Sequence, residues 1–199
     1  MINFETEPLT PARWPDLETV FGPSGGYCGC WCMYWRVPRR YFEGPERKTM
    51  KARFKRRVKK GPPPGLIAYA DGEPVGWVQV GPRADVPNWN GARRLTAPLD
   101  DVDPNDPGVW AISCFVVRRQ WRGKGVSKAL LDGAVDWARA NKARLLEACP
   151  VAPAAPKKPP VSLYHGVASI FARAGFREVA RRRADRPLMR LDLSPGTNS

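Results

Sequence analysis

The residues best suited to chemistry lie between Val116 and Leu131, in the run V-V-R-R-Q-W-R-G-K-G-V-S-K-A-L-L. An apolar run ends at Val117, a short basic turn follows, and a helical pattern begins near Val126. The first amides of a helix lack intrahelical acceptors, and the helix dipole adds partial positive charge there. Gly123 and Gly125 have no Cβ, so backbone N–H groups can close around an anion, and Arg118, Arg119, Arg122 and Lys124 add full charges. The turn reads as a phosphate cradle. A dinucleotide fingerprint would need a third glycine where Lys128 stands. A P-loop would need Ser or Thr after Gly123-Lys124, where Gly125 stands. The competing reading is a tight loop on a basic protein, but clustered cations at a helix start repel one another unless an anion joins them.

Other residues could move protons. Asp101, Asp103 and Asp106 precede the apolar run, and Glu147 lies on the next predicted strand. Each could serve as a base in a half-buried cleft. The alternatives are a solvated acidic loop for the aspartates and a structural ion pair for Glu147. His165, the only histidine, stands beside Gly166 and reads more simply as a surface or packing residue. Cys28, Cys30 and Cys32 alternate, so an extended segment would put the thiols on one face. Their spacing matches neither zinc nor redox motifs and no fourth ligand suggests itself, which leaves them as small buried hydrophobes. Trp31, Tyr34 and Trp35 either pack in the core or line a pocket.

The elements that must position these residues follow from periodicity. Asn3–Pro8 reads as a strand, and Thr10 as the cap of a helix to about Val20. Residues 46–60 form a basic helix stopped by Gly61 and the prolines after it. Its stripe of Met50, Phe54 and Val58 docks on the core. Arg47, Lys48, Lys51, Arg53, Lys55, Arg56, Arg57, Lys59 and Lys60 make the rest either a solvated face or a contact for tRNA, DNA or another acidic partner. Leu66–Ala70 and Pro74–Val80, joined by Asp71-Gly72, read as a hairpin. Trp110–Val117 and Leu145–Cys149 are continuous apolar runs, the mark of strands buried on both faces. Val126–Asn141 and Ser162–Ala174 are helical, and Phe176–Ala180 and Leu188–Leu193 are terminal strands. The order predicts a mixed α/β sheet. Prolines cluster at 62–64, in the long 81–108 loop and at 150–160, as punctuation between elements, and the tail from Ser194 should fray.

Composition bounds the answer. With 199 residues and 43% hydrophobic content, the chain can bury a core and form one domain. No stretch is apolar enough to span a membrane and the N-terminus lacks the pattern of a secretory signal, so a cytoplasmic location is expected. Five cysteines without an export signal fit reduced thiols. A net charge of +14 favours anionic ligands without choosing among them.

The pattern Gln120-x-x-Gly123-x-Gly125 at a strand-to-helix turn resembles the acetyl-CoA motif of the GNAT superfamily of N-acetyltransferases. The strand at 145–151, the later helix and Gly175-Phe176 stand in the order that this family has them, and the likeness is clearest over 65–193. The resemblance implies a single-domain α/β fold over 1–193, with a mostly antiparallel sheet flanked by helices and a splayed cofactor strand. It implies acetyl-CoA as co-substrate, with Phe115, Val116 and Val117 as backbone partners of its pantetheine arm. Gln120, Arg122, Gly123, Lys124, Gly125 and Val126 would surround the pyrophosphate. No metal is implied. The reaction implied is direct attack by a primary amine, here of a small molecule, with the 81–108 loop and the 27–35 segment setting specificity. A GNAT-fold enzyme or binding protein acting on tRNA, DNA or a protein tail through the basic helix is the alternative. Many family members carry a tyrosine general acid four residues before this glycine, where Phe171 stands here. Tyr164, seven residues earlier, takes its place as the expected acid, about 10 Å away along a continuous helix, and Glu147 is the expected base.

Overall fold

The computed structural model describes residues 2–152 and 164–194. Most of the third proline cluster, the helix start expected at Ser162 and the tail from 195 lie outside these residues. All the strands among the described residues join one sheet in the order β1-β2-β3-β4-β5-β7-β6. They are β1 (Phe4–Pro8), β2 (Gly65–Ala70), β3 (Glu73–Pro82), β4 (Val109–Val117), β5 (Leu145–Ala148), β6 (Arg177–Arg181) and β7 (Pro187–Asp192). Only β4 and β5 pair in parallel; the other neighbours are antiparallel. The expected mixed, mostly antiparallel sheet is present. The β2–β3 hairpin turns at Asp71 and Gly72, both at positive φ (48° and 80°), the geometry that matches strand twist.

Alternation along the strands builds two hydrophobic layers. Leu66, Ala68, Val78, Val80 and Phe115 face α4 (Val126–Ala140) and α5 (Ala168–Arg173). Ile67, Trp77 and Val116 face α1 (Trp14–Phe21) and α3 (Met50–Lys60), where Met50, Phe54 and Val58 form the buried stripe expected of the basic helix. A one-turn helix, α2 (Arg40–Glu43), precedes α3.

Three elements depart from their sequence patterns. The first helix begins at Trp14 after a 3-10 turn at Pro11–Arg13, and Thr10 makes no side-chain cap bond. An α-helix from Pro11 would require an N–H that Pro15 lacks and would drive its ring into the Pro11 carbonyl. The basic helix likewise splits into a 3-10 turn at Pro45–Thr49 and α3. The later helix starts at Ala168. Gly166 is left-handed (φ 74°), and Val167 is extended and bridges Val151. Tyr164 therefore precedes the helix on a short turn and does not share the helix face of Phe171.

β4 is interrupted at its centre. Gln79 pairs with Cys114 and Val80 with Ile112, so Ser113 is an extra residue in β4, a β-bulge. The pairing of β4 with β5 ends at Ile112 and Ala148, beside that bulge. Beyond it β4 runs on to Val117 without a β5 partner, as the splayed strand implied by the family resemblance would.

Helix α4 sits close over β3 because Gly76 has no side chain. A Cβ there would lie 2.7 Å from Val126 Cγ1, 3.0 Å from Leu130 Cδ1 and 3.3 Å from the Val116 carbonyl. Val126 opens the helix behind the glycine turn, so this contact also sets where the turn sits. Gly76→Ala is expected to destabilise the fold by about 1–3 kcal/mol through overpacking. It should also weaken acetyl-CoA binding, and chemical denaturation with calorimetry on the folded variant measures both.

Candidate active site

Two cavities of about 490 Å³ each open on opposite faces of the splayed half of β4. On the α4 face, Phe115, Val117, Arg122, Gly123, Gly125 and Val126 line the first. Intrahelical bonding in α4 begins with the amides of Lys128 and Ala129, which both donate to the Gly125 carbonyl (3.0 and 3.1 Å). The amides before them have no such acceptor. Gly125, the residue before the helix, is left-handed (φ 95°), and around Gly123 (φ 77°) there is open space where a side chain would project. The arrangement fits a pyrophosphate: free amides, a helix N-terminus and backbone that an anion can approach.

The expected cations divide. Arg122 lines the cavity. Arg118 turns away to pair with Glu73 and donates to the Pro74 carbonyl (3.0 Å). Lys124 lies 4.9 Å over the Trp121 ring, and neither it nor Gln120 lines the cavity. Ser127, Lys128 and, from α5, Arg173 line it instead. Arg173 was out of reach of motif reasoning, since only the return of α5 across β4 brings it there.

The second cavity lies on the α1/α3 face, where Cys114 and Val116 point. The 27–35 segment supplies Tyr27, Cys30, Cys32, Tyr34 and Trp35 to it, and the 81–108 loop supplies Arg93, Arg94, Leu95 and Thr96. Two segments distant in sequence thus build one wall. Val116, expected with the cofactor, faces this side. Trp35 Nε1 donates to the carbonyl of the bulge residue Ser113 (3.1 Å), and its ring meets Trp89 (5.0 Å) and His165 (5.9 Å) edge-on. Trp31 packs instead between Trp14 and Phe21.

The three alternating cysteines do not share a face. Cys28 and Cys32 have positive φ (54° and 51°), so the segment coils instead of extending. Cys28 is exposed, whereas Cys32 is buried and its sulfur accepts from Trp77 Nε1 (3.0 Å). Burial pushes the Cys30 thiol up to about 12, and the neighbouring Cys32 together with burial raises Cys114 well above the ordinary range. Both remain protonated at neutral pH. No group of three or more His, Cys, Asp or Glu among the described residues is arranged to hold a metal.

Tyr164 lines both cavities and is the residue they have in common. Its ring leans on Tyr27 (6.0 Å), and no described residue hydrogen-bonds its hydroxyl. Burial, more than the nearby thiols, raises its pKa above the usual 10, so it keeps its proton. Phe171, at the position where the family's tyrosine is expected, is fully buried between Phe115 (6.0 Å) and Phe176 (5.2 Å). His165 also lines the second cavity, a place sequence reasoning did not assign it. Burial pushes its imidazole down to about 3, against a backbone hydrogen bond to Ser113 that pulls the other way.

Glu147 is not placed as a base. It is fully buried, lines neither cavity and pairs with Arg83 and with Arg190 (3.0 Å to Nε). Arg83 reaches on to Asn90 Oδ1 (2.9 Å) and the Thr96 carbonyl (2.6 Å). Arg190 reaches Asp101 (2.6 Å). The carboxylate is the centre of a knot that ties the 83–101 loop to the sheet. Asp106 pairs with Arg144 (2.7 Å), and the Asp103 side chain accepts from the Asn105 amide (2.8 Å). None of these aspartates lines either cavity.

Several cations of the basic helix are engaged within the molecule. Lys51 pairs with Glu18 (2.7 Å), Arg57 pairs with Asp85, Arg53 lies over Tyr41 (4.8 Å) and Lys55 over Trp14 (5.5 Å). No helix among the described residues is long and apolar enough to cross a membrane.

A glycine turn that fits a phosphate on one face of an opened strand, and a separate pocket on the other, provide the two compartments that a group transfer needs. The family model of GNAT acetyltransferases matches residues 31–158. The chain belongs to the GNAT acetyltransferase family, and its co-substrate is acetyl-CoA. A comparison with curated proteins gave no match. Among solved structures, it resembles the yncA putative acetyltransferase of Salmonella typhimurium with acetyl-CoA (15% identity, 98% of this chain and 96% of that one, TM-score 0.53). It resembles the PaiA N-acetyltransferase of Thermoplasma acidophilum with coenzyme A (13%, 96% and 99%, 0.52). An N-acetyltransferase of Staphylococcus aureus Mu50 is comparable (15%, 96% and 99%, 0.53). At these identities the likeness is one of fold.

Glu147→Gln leaves two buried guanidinium groups without their shared counter-charge, and is expected to destabilise the protein by about 3–5 kcal/mol. The acid limb of the pH–kcat profile should be unchanged in the folded fraction. Loss of that limb with stability intact would make Glu147 the base instead.

Proposed function

We propose that this enzyme transfers the acetyl group of acetyl-CoA to the primary amine of a small molecule by direct attack. The observation that carries the reading is Tyr164, shared by the two cavities where they meet beside the open half of β4. A concave cavity of about 490 Å³ suits a small molecule better than a polymer.

Acetyl-CoA supplies an acyl thioester as the electrophile. Residues Phe115 and Val117 would offer the free edge of β4 to the pantetheine amides, as a sheet edge accepts an added strand. The amides around Gly123, Gly125 and Val126 would hold the pyrophosphate, with Arg122 and Arg173 supplying charge. The wall on the opposite face would hold the amine, so that the two reactants meet as an effectively unimolecular pair.

Tyr164 is the proposed acid. A free tyrosine at about 10 and a thiol at about 8.5 differ by about 1.5 units, so full proton transfer to the thiolate runs uphill by about 2 kcal/mol. Burial of Tyr164 raises that further. The hydroxyl therefore acts chiefly as a hydrogen-bond donor to the sulfur as the C–S bond breaks; the proton that the amine nitrogen loses on forming the amide passes to solvent, and solvent returns one to the thiolate.

Tyr164→Phe is expected to lower kcat at least tenfold, about 1.4 kcal/mol of transition-state stabilisation, with little change in KM for acetyl-CoA. Since burial raises the tyrosine's pKa, the alkaline limb it causes should lie above pH 10 and vanish in the variant. A variant with wild-type rate and an intact alkaline limb would show that solvent alone serves the thiolate.

Gly125→Asp tests the cofactor turn. It forces a side chain into a left-handed position and sets an anion beside the pyrophosphate. The dissociation constant for acetyl-CoA should rise at least tenfold in a folded variant; unchanged affinity would remove the turn from the cofactor site.

A further inference from the structure

The wall of the second cavity is charged in one sense only. Arg93, Arg94, Arg183 and Arg186 line it, and no aspartate or glutamate does. Its thiols Cys30 and Cys114 are held protonated and His165 is held neutral, so none of these three offsets the arginines. Arg183 is committed to Asp185 (2.6 Å) and is left out of the argument. The other three have no carboxylate partner among the described residues. Arg94 lies over the rings of Tyr34 (6.0 Å) and Trp35 (5.6 Å). Arg186 is anchored by two hydrogen bonds to the Cys149 carbonyl (3.1 and 2.6 Å). Arg93 stands exposed at the mouth. Positioned guanidinium groups without a counter-charge beside a cavity are the donors that a carboxylate or phosphate accepts in a bidentate pair. Tyr27 and Tyr34 line the same cavity and are half exposed, so their rings present surface to a flat body.

We infer that the acceptor is an amine that also carries an oxyanion group, carboxylate or phosphate, on a flat aromatic body, with Arg94 and Arg186 holding the anion. This rests on the acyl-transfer reading above and adds the substrate class to it. It also accounts for the lack of a carboxylate base in the cavity. Like charges disfavour an ammonium, so the arginines that bind the anion also push the bound amine toward its free-base, nucleophilic form. A simple cationic amine meets the same field without an anion to offset it.

Binding tests this apart from catalysis. The full chain, saturated with coenzyme A so that the cofactor cleft is filled, is titrated calorimetrically with indole-3-acetate, phenyl phosphate and tryptamine. At least one of the two anions should bind ten times more tightly than tryptamine, and the preferred one distinguishes carboxylate from phosphate. Arg94→Gln with Arg186→Gln should weaken the preferred anion at least tenfold and leave tryptamine unweakened. Arg93→Glu, an exposed position, should act in the same direction if the double variant fails to fold. Tryptamine binding as tightly as both anions, or anion affinity unmoved by Arg93→Glu and the double variant, overturns the inference. Anion binding in the expected pattern without acetylation of L-tryptophan or any other amine would uphold the anion site and count against the acyl-transfer reading alone.

Discussion

Everything at the site depends on the extra residue at Ser113. A bulge adds a residue to one strand, bends it and breaks the ladder locally. Here it falls where β5 runs out, so β4 leaves its parallel neighbour with Phe115 and Val117 on one face and Cys114 and Val116 on the other. The interruption is secured from outside: the Ser113 carbonyl accepts from the indole of Trp35, which lines the second cavity. The feature that opens the sheet and the feature that lines the pocket are joined by one hydrogen bond.

The two halves of the site are held by different physics. The first cavity is backbone: a glycine turn, the free amides of a helix start and a helix packed tightly onto Gly76. Such a device suits a co-substrate of constant shape, because amides placed by a helix axis do not rearrange. The second cavity is walled by loop, and loops need fastening. The long 81–108 segment has no strand of its own; Arg83 and Arg190 gather its carbonyls and carboxylates around Glu147, and Arg182 holds the Leu95 and Ala97 carbonyls (3.0 and 2.9 Å). A buried carboxylate shared by two guanidinium groups contributes little net stability over an apolar core, but breaking it is costly. It fixes the loop in one arrangement by making alternatives expensive.

The excess positive charge is likewise divided by function. Much of the basic helix is engaged in cation–π contacts and ion pairs that hold α3 against α1 and its neighbouring loops. Three arginines without a carboxylate partner among the described residues, Arg93, Arg94 and Arg186, stand at the second cavity, beside the aromatic side chains of Tyr34 and Trp35. Where a charge lies thus matters more than the net count.

Local signals in the chain determined most of the fold. The hairpin at Asp71-Gly72, the buried strands, the amphipathic helix after Gly125 and the stripe of Met50, Phe54 and Val58 are all short-range patterns, and each became the expected element. The glycine turn was legible for the same reason, since strand, turn and helix are contiguous. What the tertiary structure decided was non-local. Periodicity allowed a helix from Ser162, yet the left-handed Gly166 and the bridge of Val167 to Val151 put Tyr164 before it and beside both cavities. An acidic residue on a buried strand can be a base or an ion-pair centre, and only the arrival of Arg83 and Arg190 from distant segments made Glu147 the latter. Arg94, Arg186, Arg173 and His165 carry no motif. They gained their places because separate loops converge on a gap in the sheet, and such convergence has no short-range pattern by which a sequence could display it.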